Sequence, residues 1–271
     1  MNLIRPRLVL LIASLLVPAL SCQFAAAAAG DLPDAATVIQ QVMRRSDDEA
    51  QSGEARKYTY EKHCLAAELD RNGNATKTTD ETYEVFPIQG ISFSRLVKIQ
   101  NRQLTSAETE EQNRKEQQFR QKLAGKNENR IAEKDHDTLN SELVGRYDFH
   151  VERRERLENR TMLVLSFHPK ANRGLEKTVE DRVLNRFEGS VWVDEEDAEV
   201  AQVQVRLTED LRLGWFGMIG SIKQCDLRIE RQRLSSGVWV NKSQTVLLDG
   251  RKVFTPMRYR TLEESFNFRK P

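Results

Sequence analysis

The sequence is poor in aromatic residues and in cysteine, and it has no excess of charge of one sign. Aromatic residues make up 7% of the 271-residue chain and charged residues 31%, which predicts a lean core under a heavily solvated surface. Lys and Arg number 42 and Asp and Glu 41, so the basic excess typical of nucleic-acid-binding proteins is missing. No stretch after residue 29 is apolar enough to cross a bilayer, so no transmembrane span is predicted in the mature chain.

Motifs that carry catalysis are missing as well. The chain has no GxSxG, no Walker phosphate loop, no dinucleotide-binding fingerprint and no HExxH. His150 and His168 are expected to lie opposite each other in a hairpin, but the spacing identifies no third or fourth ligand for a metal ion. We therefore predict a protein that is not an enzyme and that has no cofactor and no metal site.

Two cysteines, Cys64 and Cys225, remain once the N-terminal segment is set aside. Outside the cytoplasm they can form a disulfide if their predicted strands are neighbours, with Cα atoms within about 7 Å. The alternative, which we favour, is that both are small buried hydrophobic side chains.

The N terminus carries the one long apolar run. Two arginines precede an apolar region of 13 residues, Leu8–Leu20, and Ala25–Ala29 supply small residues for cleavage. This order predicts a secretory signal peptide over residues 1–29 and a mature chain in the periplasm or cell envelope. In the alternative, Cys22 is acylated and the protein is a lipoprotein anchored in the outer membrane, because this cysteine directly follows the apolar run.

An amphipathic helix is predicted next, over Asp34–Gln51, with Asp34 as its N-cap. Its apolar positions recur at helical spacing and should lie on a sheet: Ala35, Val38, Ile39, Val42 and Met43.

Most of the remaining chain alternates with period two, which predicts antiparallel strands. The predicted strands and hairpins are Tyr58–Leu69, Ala75–Ile88, Ile91–Ile99, Tyr147–Phe167 and a series from Arg186 to Ser265.

Hairpin loops fix the expected registers. Asn72-Gly73 predicts a two-residue loop that pairs Arg71 with Asn74, and it places Tyr60 opposite Val85 and Lys62 opposite Tyr83. In the second hairpin, matching apolar faces requires a three-residue loop at Glu158–Arg160. That loop places Val151 opposite Phe167 and His150 opposite His168.

A highly charged segment, 105–140, interrupts the strands. Thr105 and Glu108 have capping-box spacing, and apolar residues are sparse beyond them. We predict a solvated, projecting helical arm, which serves either as a surface for an envelope protein partner or as a solubilising insertion.

The segment Leu211–Ile222 places large apolar residues among three glycines. It is either a kinked core strand or the border of a hydrophobic pocket. In the second interpretation the pocket is bordered by this segment and by one face of the first helix, and its ligand-binding residues are Val38, Val42, Trp215, Phe216, Met218 and Ile219.

Four stretches resemble the LolA-like superfamily of outer-membrane lipoprotein-sorting proteins: Tyr58–Tyr60, Tyr83–Pro87, Gly189–Asp194 and Glu264–Lys270. The resemblance implies a mainly β (α+β) fold, in which residues 30–271 form one domain. That domain would be a single curved antiparallel sheet, a half-barrel, with an N-terminal amphipathic helix and a charged helical insertion. It also implies an exported envelope protein that binds a lipid or a lipoprotein acyl chain in the concave face, as in lipoprotein sorting. The alternative function is a non-catalytic protein-interaction or envelope-stress-sensing module on the same fold.

Overall fold

One open antiparallel sheet of twelve strands makes up most of the structure, with a few helices beside it. The computed structural model describes residues 31–124, 141–171, 178–213, 220–253 and 255–270. The predicted mainly β fold, one large antiparallel sheet consistent with a half-barrel, is confirmed. The predicted signal peptide and Cys22 lie outside the described residues.

The first four strands precede the charged segment, and the fifth follows it. They are β1 Thr59–Leu69, β2 Ala75–Ile88, β3 Ile91–Ile99, β4 Arg102–Gln103 and β5 Tyr147–Leu157. The later strands are β6 Arg160–Pro169, β7 Phe187–Asp194, β8 Val200–Leu207, β9 Leu211–Leu213, β10 Gly220–Arg233, β11 Trp239–Lys252 and β12 Thr255–Arg269. The helices are α1 Ala35–Ser52, α2 Ser106–Ala124, α3 Ser141–Gly145 and α4 Val179–Leu184, and a 3-10 turn spans Ala55–Lys57.

The strands are ordered β4-β3-β2-β1-β12-β11-β10-β8-β7-β6-β5, and β9 pairs with the start of β10. The predicted series from Arg186 to Ser265 therefore forms neighbours in the order β7-β8-β10-β11-β12, with the short β9 beside β10. The last strand returns to pair with the first, so the two ends of the strand sequence meet inside the sheet.

The first hairpin has the predicted register but not the predicted loop. Tyr60 is opposite Val85 and Lys62 is opposite Tyr83, as expected. The predicted pairing of Arg71 with Asn74 is wrong, because the Asp70 N–H donates to the Asn74 carbonyl at 2.9 Å across a three-residue loop. Gly73 supplies the positive φ, +82°, that this longer loop requires.

The predicted loop of the second hairpin is wrong. Leu157 pairs with Arg160, so the loop has only two residues. Glu158 and Asn159 both have positive φ, 48° and 69°, as a type I′ turn demands.

A bulge after Val151 then changes the register of this hairpin. The predicted pairing of His150 with His168 is therefore wrong, and so is that of Val151 with Phe167. The observed partners are Leu165 for Val151, Ser166 for His150 and Asp148 for His168.

Helix α1 forms as predicted. The Asp34 side chain accepts a hydrogen bond from the Thr37 N–H at 3.1 Å, and Gly53 ends the helix in the left-handed region. The apolar stripe of α1 is buried against β5–β8 in a cluster that we call the α1 core. Its buried members are Val38, Ile39, Val42, Tyr147, Leu163, Leu165, Phe167, Val191 and Val193.

Helix α2 corrects the prediction of a projecting arm. Thr105 and Glu108 cap it as expected, since the Thr105 N–H donates to the Glu108 carboxylate at 2.8 Å. However, Phe119 and Leu123, four residues apart, pack on β2 and β3 in what we call the α2 cluster. Its other members are Phe86, Ile88, Ile91 and Phe93. Residues 125–140 lie outside the described part of the chain.

The two helices cover opposite faces of the sheet at opposite ends. Residues that pair across an antiparallel sheet share a face, so each row of partners marks one face. The row on the α1 face runs through Leu165, Val191, Val203, Ile229, Gln244, Glu263, Cys64 and Glu81. The row on the α2 face runs through Val164, Trp192, Gln202, Glu230, Ser243, Glu264, His63 and Thr82, and Thr82 shares its side of β2 with Phe86.

Candidate functional site

The residues predicted to border a hydrophobic pocket fall into two groups. Val38 and Val42 are 2% and 4% exposed inside the α1 core, so sheet side chains already fill the space that a ligand would need. The other four, Trp215, Phe216, Met218 and Ile219, lie outside the described residues. The strands on either side of them, β9 and the start of β10, pair with each other through Leu213 and Gly220.

An apolar stripe continues the α1 face beyond the α1 core. Its residues are Cys225, Leu227, Ile229, Val246 and Leu248, and we call it the β10–β11 stripe. All five side chains are half-buried, and none belongs to the described core clusters. Leu227 lies between Val205 and Val246, and the first of these, Val205, packs against the α1 core. The stripe is therefore an aliphatic extension of the core that is left partly open.

Polar and aromatic groups limit the stripe on its β12–β1 side. Lys62 lies 3.5 Å from Glu263, and its Nζ is 5.7 Å from the centre of the Tyr83 ring. Burial and the hydrogen bond to Glu81, 2.6 Å long, raise the pKa of the Tyr83 phenol, so Tyr83 acts as a donor. Tyr259, opposite Leu248, is 38% exposed and offers an aromatic surface at the other corner.

The two cysteines do not meet the condition set for a disulfide. Cys64 is in β1 and Cys225 is in β10, with β12 and β11 between them. Three interstrand steps amount to about 14 Å, twice the Cα separation that a disulfide tolerates. Both thiols are free and half-buried, and burial raises the pKa of each. The predicted alternative, two small buried hydrophobic side chains, fits this placement.

A second candidate site, which the sequence analysis did not predict, lies on the α2 face. A cavity of about 360 Å³, which we call the Trp239 cavity, opens between β6, β8, β10 and β11. Its floor is formed by Met162, Ala201 and Trp239, which belong to a small buried cluster together with Val164 and Trp192. The signal in the sequence was the pattern Arg228, Arg231, Arg233 at every second or third position, but nothing showed that these positions would face Trp239 across a turn.

Buried carboxylates hold the arginines around this cavity. Asp194 is fully buried and accepts two hydrogen bonds from one edge of the Arg160 guanidinium, from Nε and, at 2.7 Å, from Nη2. Asp197 accepts from Trp239 Nε1 at 2.8 Å and from Arg233 Nε at 2.6 Å. Burial raises the pKa of Asp197, but these two hydrogen bonds outweigh it, so the pKa is lowered and the group stays ionised.

Glu199 connects this region to α1. Its side chain is 7% exposed and bridges Arg45, at 2.8 Å, and Arg231, at 2.7 Å. Arg231 in addition donates to the carbonyls of Val200 and Trp239. A carboxylate between two guanidiniums is well paired, which makes this network structural rather than reactive.

A second cavity, of about 560 Å³, adjoins the first along the same face. Both cavities are lined by Arg228. In the second cavity, the positive charges of Arg206 and Arg228 are balanced by Glu188 and Asp226. Glu188 accepts from Arg206 Nε at 2.7 Å and lies 3.1 Å from His168 Nδ1. His168 is thus part of a hydrogen-bonded network on this face.

Comparison with solved structures finds proteins of the kind that the sequence resembles. A putative outer membrane lipoprotein-sorting protein domain from Vibrio parahaemolyticus matches with 9% identity and a TM-score of 0.36, over 86% of this chain and 92% of that one. A LolA superfamily protein from Nitrosomonas europaea matches with 9% identity and a TM-score of 0.31, over 86% and 93%. MucB of Pseudomonas aeruginosa, in the MucA/MucB complex, matches with 10% identity and a TM-score of 0.24, over 82% and 94%.

These matches include LolA-like proteins, the kind of protein that the sequence resembles. At identities of 9–10% the likeness concerns the fold alone. No protein-family model matches the chain, and no curated protein matches it. Within the described ranges, no helix has both the length and the apolar character needed to span a membrane.

Proposed function

We propose that this is an exported, non-catalytic envelope protein that binds the acyl chain of a lipid or lipoprotein on the β10–β11 stripe. The observation that carries the proposal is the stripe itself, five uncharged half-buried side chains on neighbouring strands that extend the α1 core without being covered by α1. Each methylene buried against such a surface gains about 0.8 kcal/mol. An acyl chain is the ligand that exploits this gain without requiring a polar partner.

The glycine-punctuated segment completes the proposed site. It joins Leu213 to Gly220, and Gly220 begins the strand that carries Cys225 and Leu227. We propose that Trp215, Phe216, Met218 and Ile219, which lie outside the described residues, contribute large apolar side chains to the binding of the acyl chain. Val38 and Val42 support the site from the packed α1 core and do not contact the ligand.

Two adjacent leucines give a matched test. Leu248 belongs to the stripe, whereas Leu247, the preceding residue on β11, points to the other face. Leu248→Ser should weaken the binding of a fluorescent fatty acid or a lipopeptide about tenfold, and Leu247→Ser should leave it unchanged. Equal affinities of the two variants would remove the stripe from the site.

The segment between β9 and β10 has its own test. Replacing both Trp215 and Phe216 with serine should weaken acyl-chain binding by more than about tenfold, because each change removes a large apolar contact. The unfolding midpoint of the double variant serves as the control. Unchanged lipid binding by a stable double variant would exclude this segment.

Export is tested on the native protein. N-terminal sequencing of envelope fractions should return a start between Phe24 and Asp31, whereas a start at Met1 would contradict the signal peptide. Labelled fatty acid on the protein, abolished by Cys22→Ala, would establish the lipoprotein alternative.

A protein-interaction module is the second candidate, and the outer surface of α2 favours it. Glu110, Arg114, Lys115 and Gln118 are exposed there although α2 is anchored to the sheet. Native mass spectrometry of protein purified from its own envelope separates the two functions. A co-purifying lipid supports the carrier, and a stoichiometric protein partner supports the module.

A further inference from the structure

The Trp239 cavity combines an apolar floor with a cationic rim. Met162 and Trp239 are 2% and 3% exposed at the floor. The side chains of Arg228, Arg233 and Lys242 stand above them and are 52%, 38% and 45% exposed. Such a site offers apolar contact and positive charge to the same molecule.

The lining of this cavity is not electrically balanced. Five of its 15 lining residues are Arg or Lys, and only two, Glu158 and Glu230, are carboxylates. The carboxylates that hold Arg160 and Arg231, Asp194 and Glu199, are buried behind the wall and do not line the cavity. The cavity therefore presents more positive than negative groups to whatever enters it.

Two of the rim arginines keep donors for a ligand. Arg233 uses Nε on Asp197, at 2.6 Å, and Arg228 uses Nη2 on Glu230, at 2.6 Å. A guanidinium has five N–H donors, so each retains N–H groups that a carboxylate or phosphate can accept from. Among the described residues, the ion-pair partner of Lys242 is the exposed Glu158, at 3.2 Å, so Lys242 can turn toward an anion at little cost.

We propose that the Trp239 cavity binds a small organic anion, a carboxylate or phosphate carried on an apolar group. The charged end contacts Arg228 and Arg233, and the apolar group lies on Trp239 and Met162. The volume of about 360 Å³ falls within the range of about 300–1,000 Å³ typical of small-molecule pockets. This site is on the α2 face and is therefore separate from the acyl-chain site proposed on the α1 face.

Three probes of equal chain length test the proposal by calorimetric titration of the full mature chain: octanoate, octyl phosphate and octanol. Both anions should bind, and octanol should bind at least about tenfold more weakly, since it lacks the charge that the rim recognises. The anion with the higher affinity shows whether the site prefers a carboxylate or a phosphate monoester. Added salt should weaken the binding of the anions but not of octanol.

Arginine variants locate the binding. The double variant Arg228→Gln/Arg233→Gln should weaken anion binding at least about tenfold. Arg206→Gln is the matched control, because Arg206 lines the neighbouring cavity and is likewise paired with a carboxylate, Glu188. It should retain the affinity of the wild type.

Several outcomes would overturn the proposal: no binding of either anion, equal binding of octanol, unchanged binding by the double variant, or equal weakening by Arg206→Gln. The unfolding midpoint of each variant shows whether its fold is intact. If the double variant does not fold, Lys242→Gln replaces it, and unchanged anion binding by that variant would count against the site. Loss of binding on Leu248→Ser, with the arginine variants unaffected, would assign the anions to the α1 face instead.

Discussion

The two helices solve the same problem, covering part of a sheet, in different ways. Helix α1 buries Val38, Ile39 and Val42 against apolar side chains of four strands, β5 to β8. Helix α2 buries Leu123, rests Phe119 on Phe93 at a ring distance of 5.1 Å, and adds polar ties. One of these is Arg95, which lies 3.4 Å from Glu116. The α1 end should therefore supply most of the stability of the domain, and the α2 end should tolerate changes better.

The largest effect is expected at the α1 end. Leu165 is fully buried at the centre of the α1 core. Leu165→Ala should lower the free energy of unfolding by about 3–5 kcal/mol, because it leaves a cavity that the sheet cannot close. Urea denaturation of the mature chain measures it, and a loss below about 1 kcal/mol would mean that α1 is not the main cover.

The ion-pair network behind α1 comes next. Glu199→Gln removes the charge that pairs Arg45 with Arg231 and should cost about 1–3 kcal/mol, less than a fully buried pair because Arg45 is 36% exposed. Glu196→Gln is the control, since that side chain is 81% exposed. Equal unfolding midpoints for the two variants would show that the network is not structural.

Some of these features could be predicted from the sequence and others could not. Helix α1 was predictable because its cap and its apolar spacing are local features. The register of the second hairpin was not, since one bulge after Val151 moves every later pair and leaves no mark in the pattern. The open stripe was visible as alternation through Cys225, Leu227 and Ile229, but no sequence feature shows how far a helix extends over a sheet. The Trp239 cavity depends on residues from separate strands and could only be found in three dimensions.

Substitutions at the α2 end should lower the free energy of unfolding less than those at the α1 end. Phe119→Ala should lower the free energy of unfolding by about 1–2 kcal/mol, below the range for a buried phenylalanine, because Phe119 is only half-buried.

Replacing 107–137 by a short Gly/Ser bridge should leave a cooperative, less stable domain, since it uncovers Ile88 and Phe93 but spares the α1 core. Loss of cooperative thermal unfolding would show that the α2 cluster is as essential as the α1 core.

The smallest effect concerns the start of α2. The hydrogen bond from Arg102, followed by that from the Thr105 N–H, lowers the pKa of Glu108 to about 2. Because the folded pKa lies below the unfolded value of about 4.3, this contribution is present above pH 4.3 and is lost as the pH falls toward 2. Arg102→Gln should raise the pKa of Glu108 toward its usual value in an NMR titration, and an unchanged value would exclude Arg102 as the cause.

The pairing of β1 with β12 has a consequence for the order in which the chain can fold. Thr59 pairs with Arg269, so this contact closes a loop of about 200 residues. It can form only after the last strand has been synthesised. Strands β5 to β11 can pair with their neighbours as the chain is made. The inner edge of the β1–β3 strands, by contrast, stays unpaired until β12 is available. A chain that is synthesised N-terminus first exposes that edge until β12 follows, which makes the first hairpin the stretch most in need of protection while the protein folds.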